Sequence, residues 1–387
     1  MRRSRFIAGG AALAAAASSL PARAQFTNSP YRQQLSIAVS VPLSGPLAAY
    51  GQQIVNGARA AVDYNNQYAA PLERIFSIRT FDDQGSLAIA ITNAQFAAGD
   101  TTVVAMIGNL TADVTVGTLP EYSNDGLPLV VPAITADSVT ARAYRNVFRL
   151  PTKDSVEGAL FARTVLKDVN PPLALAITQD GGYGPDVVQG FVAQAKADKR
   201  QAAAFSFPAS NPDYTIAAKA IVEKNPDYLY LAGKVGAMGP LIPALIAAGY
   251  KGGFGLSDGF YDLSTIKQYG SLLTGALVAT SFPPLKRAPG DFMLLTDLTH
   301  RIGDVTPFSA YGYASAQIVM SAVKRTSAID KIGTLQALLT GGTYETLTGS
   351  YSFDFQGDPV DPNIYFFSIG KDDFTYKKPA HPTGFVL

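Results

Sequence analysis

Cysteine is absent from the 387 residues. That removes disulfides, thiolate nucleophiles and cysteine-based zinc sites together. Histidine occurs twice, at His300 and His381, and neither lies beside other ligand-type residues. Each therefore reads as a surface residue rather than a metal ligand. H-E-x-x-H, G-x-G-x-x-G and G-x-x-x-x-G-K-[ST] are all missing, so no zincin helix, dinucleotide fingerprint or nucleotide phosphate loop is legible. Charge is sparse: 16% of residues are charged and the formal net charge is +1. Acidic residues are missing from the first 24 positions, which carry Arg2, Arg3, Arg5 and Arg23. Without those four, 27 Lys and Arg stand against 30 Asp and Glu, a net −3. Such a balance gives no basis for nucleic acid or an anionic membrane as partner. There is no tandem repeat, and no apolar run is long enough for a good membrane span.

What is present is a large apolar share. A chain of 387 residues that is 47% hydrophobic can bury a sizeable core and suits two lobes. The N-terminus has the layout of a targeting segment. Arg2, Arg3 and Arg5 form a basic region, Phe6 to Leu20 is apolar and Ala-rich, and Ala22-Arg23-Ala24 is an A-x-A cleavage site. Residues 1–24 are therefore expected to be a signal peptide, with the mature chain starting at Gln25. Arg2-Arg3 ahead of Phe6-Ile7 points to twin-arginine export, with general secretion as the alternative. No Cys follows, so no lipid anchor is expected.

The densest stretch is Ser36 to Asn66. Ile37, Ala38, Val39 and Val41 read as a buried strand, Pro42 to Pro46 (PLSGP) as a tight turn with one hydroxyl, Ser44, and Ile54, Ala58, Ala61, Val62 and Asn65 as one face of a helix. This is strand, loop, helix, with the loop at the strand's carboxyl end, where open α/β sheets gather ligands and helix N-termini favour anions.

The α/β alternation continues. Strands are expected over Ile75–Phe81, Val103–Ile107, Leu127–Val131 and Val147–Leu150. Helices are expected over Leu87–Phe96 and up to about Tyr122. A second series has strands at Leu173–Thr178, Tyr228–Leu231, Phe254–Leu256, Leu277–Thr280 and Ile364–Ile369. Its helices lie at Val187–Ala197, Gly239–Ala248, Phe292–Arg301 and Ala310–Lys324. Alternation of this kind predicts mostly parallel sheets covered on both faces.

One enzyme signature matches. Gly255-Leu256-Ser257-Asp258-Gly259 fits G-x-S-x-G, the nucleophile elbow of α/β-hydrolases, with His300 or His381 as base and Asp291 or Asp354 as orienter. A serine esterase using Ser257 is the rival reading from a different class. With 35 glycines, chance matches to the pattern are frequent.

PLSGPLAAYGQQIVNGARAAVDYNN resembles the opening of periplasmic leucine/isoleucine/valine-type binding proteins of ABC transporters. The carriers of the resemblance are Pro42 to Pro46, Tyr50-Gly51 and Asn56 to Ala60, and weaker similarity runs from Leu35 to about Ile369. It implies an α/β chain of two Rossmann-like lobes, a type I periplasmic binding protein, joined by a three-strand hinge. The implied crossovers lie near Leu150, Ser281 and Phe353, giving lobe 1 as 35–150 plus 282–353 and lobe 2 as 151–281 plus 354–387. It implies a periplasmic protein with no catalytic residue, metal or cofactor. Expected partners are a small-molecule ligand and the membrane permease subunits of an ABC importer, and the protein itself is expected to be a monomer.

The ligand-binding residues the resemblance implies sit on strand-end loops. In lobe 1 they are Ser44, Leu110, Thr111, Ala112, Ala133 and Thr135, for a carboxylate and an ammonium. Tyr50 and Phe308 would line a side-chain pocket, with Tyr311 nearby. In lobe 2 they are Tyr183, in DGGYG, and Asp258, the acid for an ammonium, where the family usually has Glu. Two positions depart from the pattern. Ala112 stands where amino-acid binders usually carry Ser, with Thr111 or Asp113 as compensation. Lys234 falls near an aromatic position and either meets the ligand or pairs with Asp258. An amino acid is the expected ligand, with an amide or an organic or aromatic acid as the alternative.

Overall fold

The structure, a computed structural model, describes residues 33–69, 74–210, 212–285 and 292–380. The expected signal peptide, Asp291 and His381 lie outside them.

The chain opens with strand β1 (Gln33–Val41), helix α1 (Ala48–Tyr64), β2 (Arg74–Asp82), α2 (Leu87–Gly99), β3 (Val103–Gly108), α3 (Ala112–Asn124), β4 (Leu129–Val131) and β5 (Val147–Arg149). It continues with α4 (Asp154–Val169), β6 (Ala174–Gln179), α5 (Pro185–Ala197), β7 (Ala202–Phe207), α6 (Tyr214–Val222), β8 (Tyr228–Leu231), α7 (Val235–Met238), α8 (Leu241–Ala247), β9 (Gly253–Leu256), α9 (Leu263–Tyr269) and β10 (Leu277–Thr280). Then come α10 (Phe292–Ile302), α11 (Pro307–Thr326), α12 (Lys331–Leu339), β11 (Tyr344–Thr346), β12 (Gly349–Tyr351), β13 (Tyr365–Ile369) and β14 (Phe374–Pro379).

Two main sheets result. The first has the order β2-β1-β3-β4-β5 and is parallel throughout. The second has the order β14-β13-β10-β9-β8-β6-β7. Its strands β6 to β10 run parallel, and β13 and β14 add antiparallel at one edge. Both faces of the first sheet are apolar because alternate residues of β1 point opposite ways. Ile37, Val39 and Val41 join α1 and α11 in one core, while Ala38 joins α2 and α3 in another. The second sheet is covered in the same way.

The chain leaves the first sheet after β5 and enters the second through α4 and β6. After β10 it returns, and α10 and α11 pack against α1. It crosses again between β12 and β13. The packing of α11 on α1 is close enough to require glycine: a Cβ on Gly57 would stand 1.8 Å from the Ser309 carbonyl oxygen. The start of α11 is set by a capping box between Thr306 and Ser309, with Pro307 in the first turn. Among the described residues no helix is long and apolar enough to cross a membrane.

Some elements differ from expectation. The helix expected over Gly239–Ala248 begins only at Leu241, as α8, and the short α7 lies ahead of the expected span, before Gly239-Pro240. Helices α4, α6, α7 and α12, strands β7 and β14 and the hairpin β11–β12 were not anticipated.

Candidate functional site

In each sheet one strand is flanked by its two successors in opposite directions: β1 by β2 and β3, and β6 by β7 and β8. A crevice opens at the carboxyl end of such a strand. Ten of the eleven implied ligand residues lie on loops or helix starts at carboxyl ends of β1, β3, β4, β6, β8 and β9. The eleventh, Phe308, begins α11.

On the first sheet the PLSGP loop is tied down by a neighbouring strand end. The Leu43 N–H donates to Asp82 Oδ1 at 2.8 Å, as does the Gln84 N–H at 2.9 Å. Burial opposes the charge on Asp82, but the Leu43, Ser44 and Gln84 hydrogen bonds outweigh it and hold the carboxyl below its usual range. Ser44 is thus exposed but already engaged with Asp82. Gly51 permits α1 to start against this loop, since a Cβ there would lie 1.9 Å from the Pro42 carbonyl oxygen. Tyr50 and Phe308 do meet, with ring centroids 4.8 Å apart. Tyr311, one helical turn on from Phe308, is buried, and its hydroxyl donates to the Ser281 carbonyl at 2.9 Å.

Leu110, Thr111 and Ala112 form the turn from β3 into α3. Thr111 caps the helix by position, yet its hydroxyl, buried as an atom, has no hydrogen-bond partner among the described residues. Its carbonyl accepts from the Thr115 N–H at 2.9 Å, and the first N–H groups of a helix have no intrahelical acceptor. Asp113 is exposed. Beneath this turn Asn109 is fully buried and bound to Asp83, Ser40 and Thr118.

Ala133 and Thr135 lie after β4. Arg149, 0% exposed, holds their loop by donating to the carbonyls of Thr135 at 3.0 Å and Ala136 at 2.6 Å. Its other nitrogens bind Asp358 and the Thr140 hydroxyl.

The second sheet supplies acids. Tyr183 sits in a loop of glycines, and only glycine fits at position 184, where φ is +133° and a Cβ would lie 2.2 Å from Thr178 Oγ1. The Tyr183 hydroxyl donates to Glu157 Oε2 at 3.0 Å. Tyr230 donates to Glu157 Oε1 at 3.1 Å, and the Asp258 N–H donates to the same oxygen at 2.9 Å. Burial pushes the Asp258 carboxyl up to about 6, against a hydrogen bond from Thr280. Burial first, and then the charges of Asp258 and Asp154, push Glu157 well above its usual range. Asp154, 3% exposed, is raised to about 7 by burial, and its Oδ1 has no hydrogen-bond partner among the described residues.

Lys234 lies beside this cluster by its backbone: a Cβ on Gly259 would be 2.9 Å from the Lys234 Cα. Its side chain is exposed, and among the described residues no ion pair joins it to Asp258. The internal pair considered from the sequence is therefore not formed. Ser257 is 0% exposed, and its Oγ accepts from the Gly233 N–H at 3.0 Å. His300 is exposed on α10. A nucleophile elbow needs an accessible hydroxyl beside a base, so the hydrolase reading fails on geometry.

The profile of the periplasmic binding protein family matches residues 34–373. The chain belongs to that family. Among curated members of this kind, the Leu/Ile/Val-binding protein homolog 3 of Brucella melitensis is 26% identical over 340 residues, covering 86% of this chain and 90% of the relative. The leucine binding protein LivK of Thermotoga maritima superimposes with a TM-score of 0.77 at 19% identity, covering 90% of this chain and 99% of the other. A solute binding protein of R. palustris in complex with benzoate does so with a TM-score of 0.73 at 18% identity, covering 90% of this chain and 97% of the other. The two structural likenesses establish the α/β fold of a type I periplasmic binding protein. They also show that this fold accommodates different ligands. Proteins of this family bind substrates and are not enzymes.

Glu157 was missed from the sequence. It falls in a stretch, 151–172, for which no element was anticipated, and its neighbours in space are distant in the chain. The one available signal was an acid among apolar residues in Val156 to Phe161.

Proposed function

We propose that this protein is the extracytoplasmic solute-binding protein of an ABC importer, and that its ligand is an amino acid. The observation that carries this reading is the opposite polarity of the two halves of the site. The first-sheet half offers donors: a hydroxyl without a partner at Thr111, at the head of α3, where free N–H groups and the helix dipole favour a carboxylate. The second-sheet half offers acids, Asp258 backed by Glu157. A zwitterion answers both. Tyr50 and Phe308 present an apolar wall for its side chain, and Thr111 makes up for the missing hydroxyl at Ala112. Relatives named as Leu/Ile/Val-binding proteins favour the same class.

On this reading the chain works as two lobes, 35–150 plus 282–353 and 151–281 plus 354–387, that close over the ligand by hinge motion. It is exported, processed to Gln25, acts as a monomer and hands its cargo to membrane permease subunits. The test is a thermal-shift and calorimetry screen with leucine, isoleucine, valine and other amino acids. A ligand at about 100 times its Kd adds about 2.7 kcal/mol of stability. Binding by at least one of them, together with a smaller radius of gyration by small-angle scattering, is the expected result. No shift with any amino acid refutes the reading.

A further inference from the structure

Glu157 is 1% exposed, and it is not a lone core residue. It lies in the first turn of α4, a helix that starts where the chain has just crossed from the first sheet. Its carboxyl gathers three elements of the second sheet: the β6–α5 loop through Tyr183, β8 through Tyr230, and the loop after β9 through the Asp258 N–H. The groups facing it are Asp154 on its own helix, Asp258, Tyr183 and Tyr230. None of these is a cation. Among the described residues the buried cation Arg149 is committed to Asp358, and Lys234 is exposed. Among the described residues no grouping of His, Cys, Asp and Glu suits a metal ion.

Two neighbouring acids, one buried and one half-buried, joined through the Asp258 N–H and without a positive partner, cannot both carry charge cheaply. One keeps its proton until a cation arrives, and the pair titrates as a unit. Asp258 is half-buried and Glu157 more deeply buried, so the proton falls to Glu157, and in that form its Oε2–H donates to the Tyr183 hydroxyl, which itself donates once the carboxyl is charged. Consistent with this, burial and the Asp258 charge both raise Glu157.

We propose that Glu157 is a positioning residue that makes ligand capture proton-linked: it holds the Asp258 main chain and the Tyr183 hydroxyl in place, and it releases a proton when a ligand's ammonium group enters the site. This rests on the amino-acid reading above and deepens it. The balance is simple: the carboxyl O–H bond breaks, the proton leaves to solvent, and the resulting carboxylate is compensated by the ammonium lodged against Asp258. The site thereby prefers ligands that bring a positive charge, and it holds them more weakly as the medium acidifies.

The probe is L-leucine, titrated calorimetrically into the full mature protein at about pH 7.5 in buffers of different ionisation enthalpy. The wild type is expected to release protons on binding leucine, while Glu157→Gln, which keeps the acceptor for Asp258, releases almost none. No release from the wild type, or the same release from Glu157→Gln, overturns the proposal. A second arm needs no ligand. A carboxyl raised in the folded state adds stability below its unfolded value of 4.5, and that stability is lost as pH rises through the folded value. Between about pH 5 and 7.5 the wild type should therefore lose more stability to urea than Glu157→Gln. Equal losses overturn the proposal even if leucine does not bind. Failure of every amino acid to bind, with unequal losses, instead refutes the functional reading and leaves the proton on Glu157.

Discussion

Replacing Arg149 with Met removes the cation that holds the loop carrying Ala133 and Thr135. Arg149 is 0% exposed and binds Asp358 Oδ1 through Nε at 2.9 Å and through a second nitrogen at 2.5 Å. It also serves the Thr140 hydroxyl at 2.7 Å and the carbonyls of Thr135 and Ala136. Removing one partner from a buried ion pair costs about 3–5 kcal/mol, because the other charge remains desolvated. Two carbonyls left without donors cost about 1–3 kcal/mol each when nothing replaces the bond. Two effects work against these costs. Lys153 is already 3.4 Å from Asp358 Oδ2, with its side chain partly exposed, and it can shift closer. Methionine also buries apolar surface. The expected loss is therefore about 3–5 kcal/mol in urea unfolding followed by circular dichroism. The double variant Arg149→Met/Asp358→Leu removes both charges and should recover most of the loss, to within about 2 kcal/mol of the wild type. A loss under about 1 kcal/mol for Arg149→Met, or a double variant as unstable as the sum of the singles, would show that desolvated charge is not what this cluster balances.

Two glycines should respond to the same substitution with opposite sign. Gly57→Ala forces a Cβ against the Ser309 carbonyl and should cost about 1–3 kcal/mol, whereas Gly99→Ala, with nothing within 4 Å, should add about 0.5–1 kcal/mol by thermal unfolding. Thr111→Val removes a buried hydroxyl that has no partner among the described residues, so unfolding should be unchanged or slightly later, while leucine binding weakens about tenfold by calorimetry. Asp154, raised to about 7 from 3.8, adds stability below its unfolded value and loses it as pH rises through about 7. Asp154→Asn should accordingly flatten the fall in melting temperature between about pH 4 and 7. Asp258→Asn should weaken leucine by about 1.5–3 kcal/mol, roughly tenfold to a hundredfold, while the corresponding deaminated acid loses much less. Equal losses for the two compounds would retire the ammonium role of Asp258.

Local pattern carried much of this protein. Ile37, Ala38, Val39 and Val41 read as a buried strand because they put apolar side chains on both faces, and PLSGP reads as a turn. The helix after it shows its period in Ile54, Ala58, Ala61 and Val62. These signals rest on neighbours in the chain, as does the opening motif that carries the family resemblance. Elements with a weak local signal escaped. Strand β7 is an edge strand with two exposed alanines, Ala203 and Ala204. Helix α4 is buried around most of its circumference and so shows no clean apolar stripe. Tertiary structure alone decided the acid site. Glu157 meets Tyr183 across 26 residues, Tyr230 across 73 and the Asp258 N–H across 101. It also decided that Lys234 stays in solvent beside Asp258 without pairing, and that Ser257 is sealed against Gly233. Hydrophobic period is a property of consecutive residues, and the sequence shows it directly. Which charge is buried, and against what, depends on where strand order brings distant loops together, and no stretch of the chain contains that by itself.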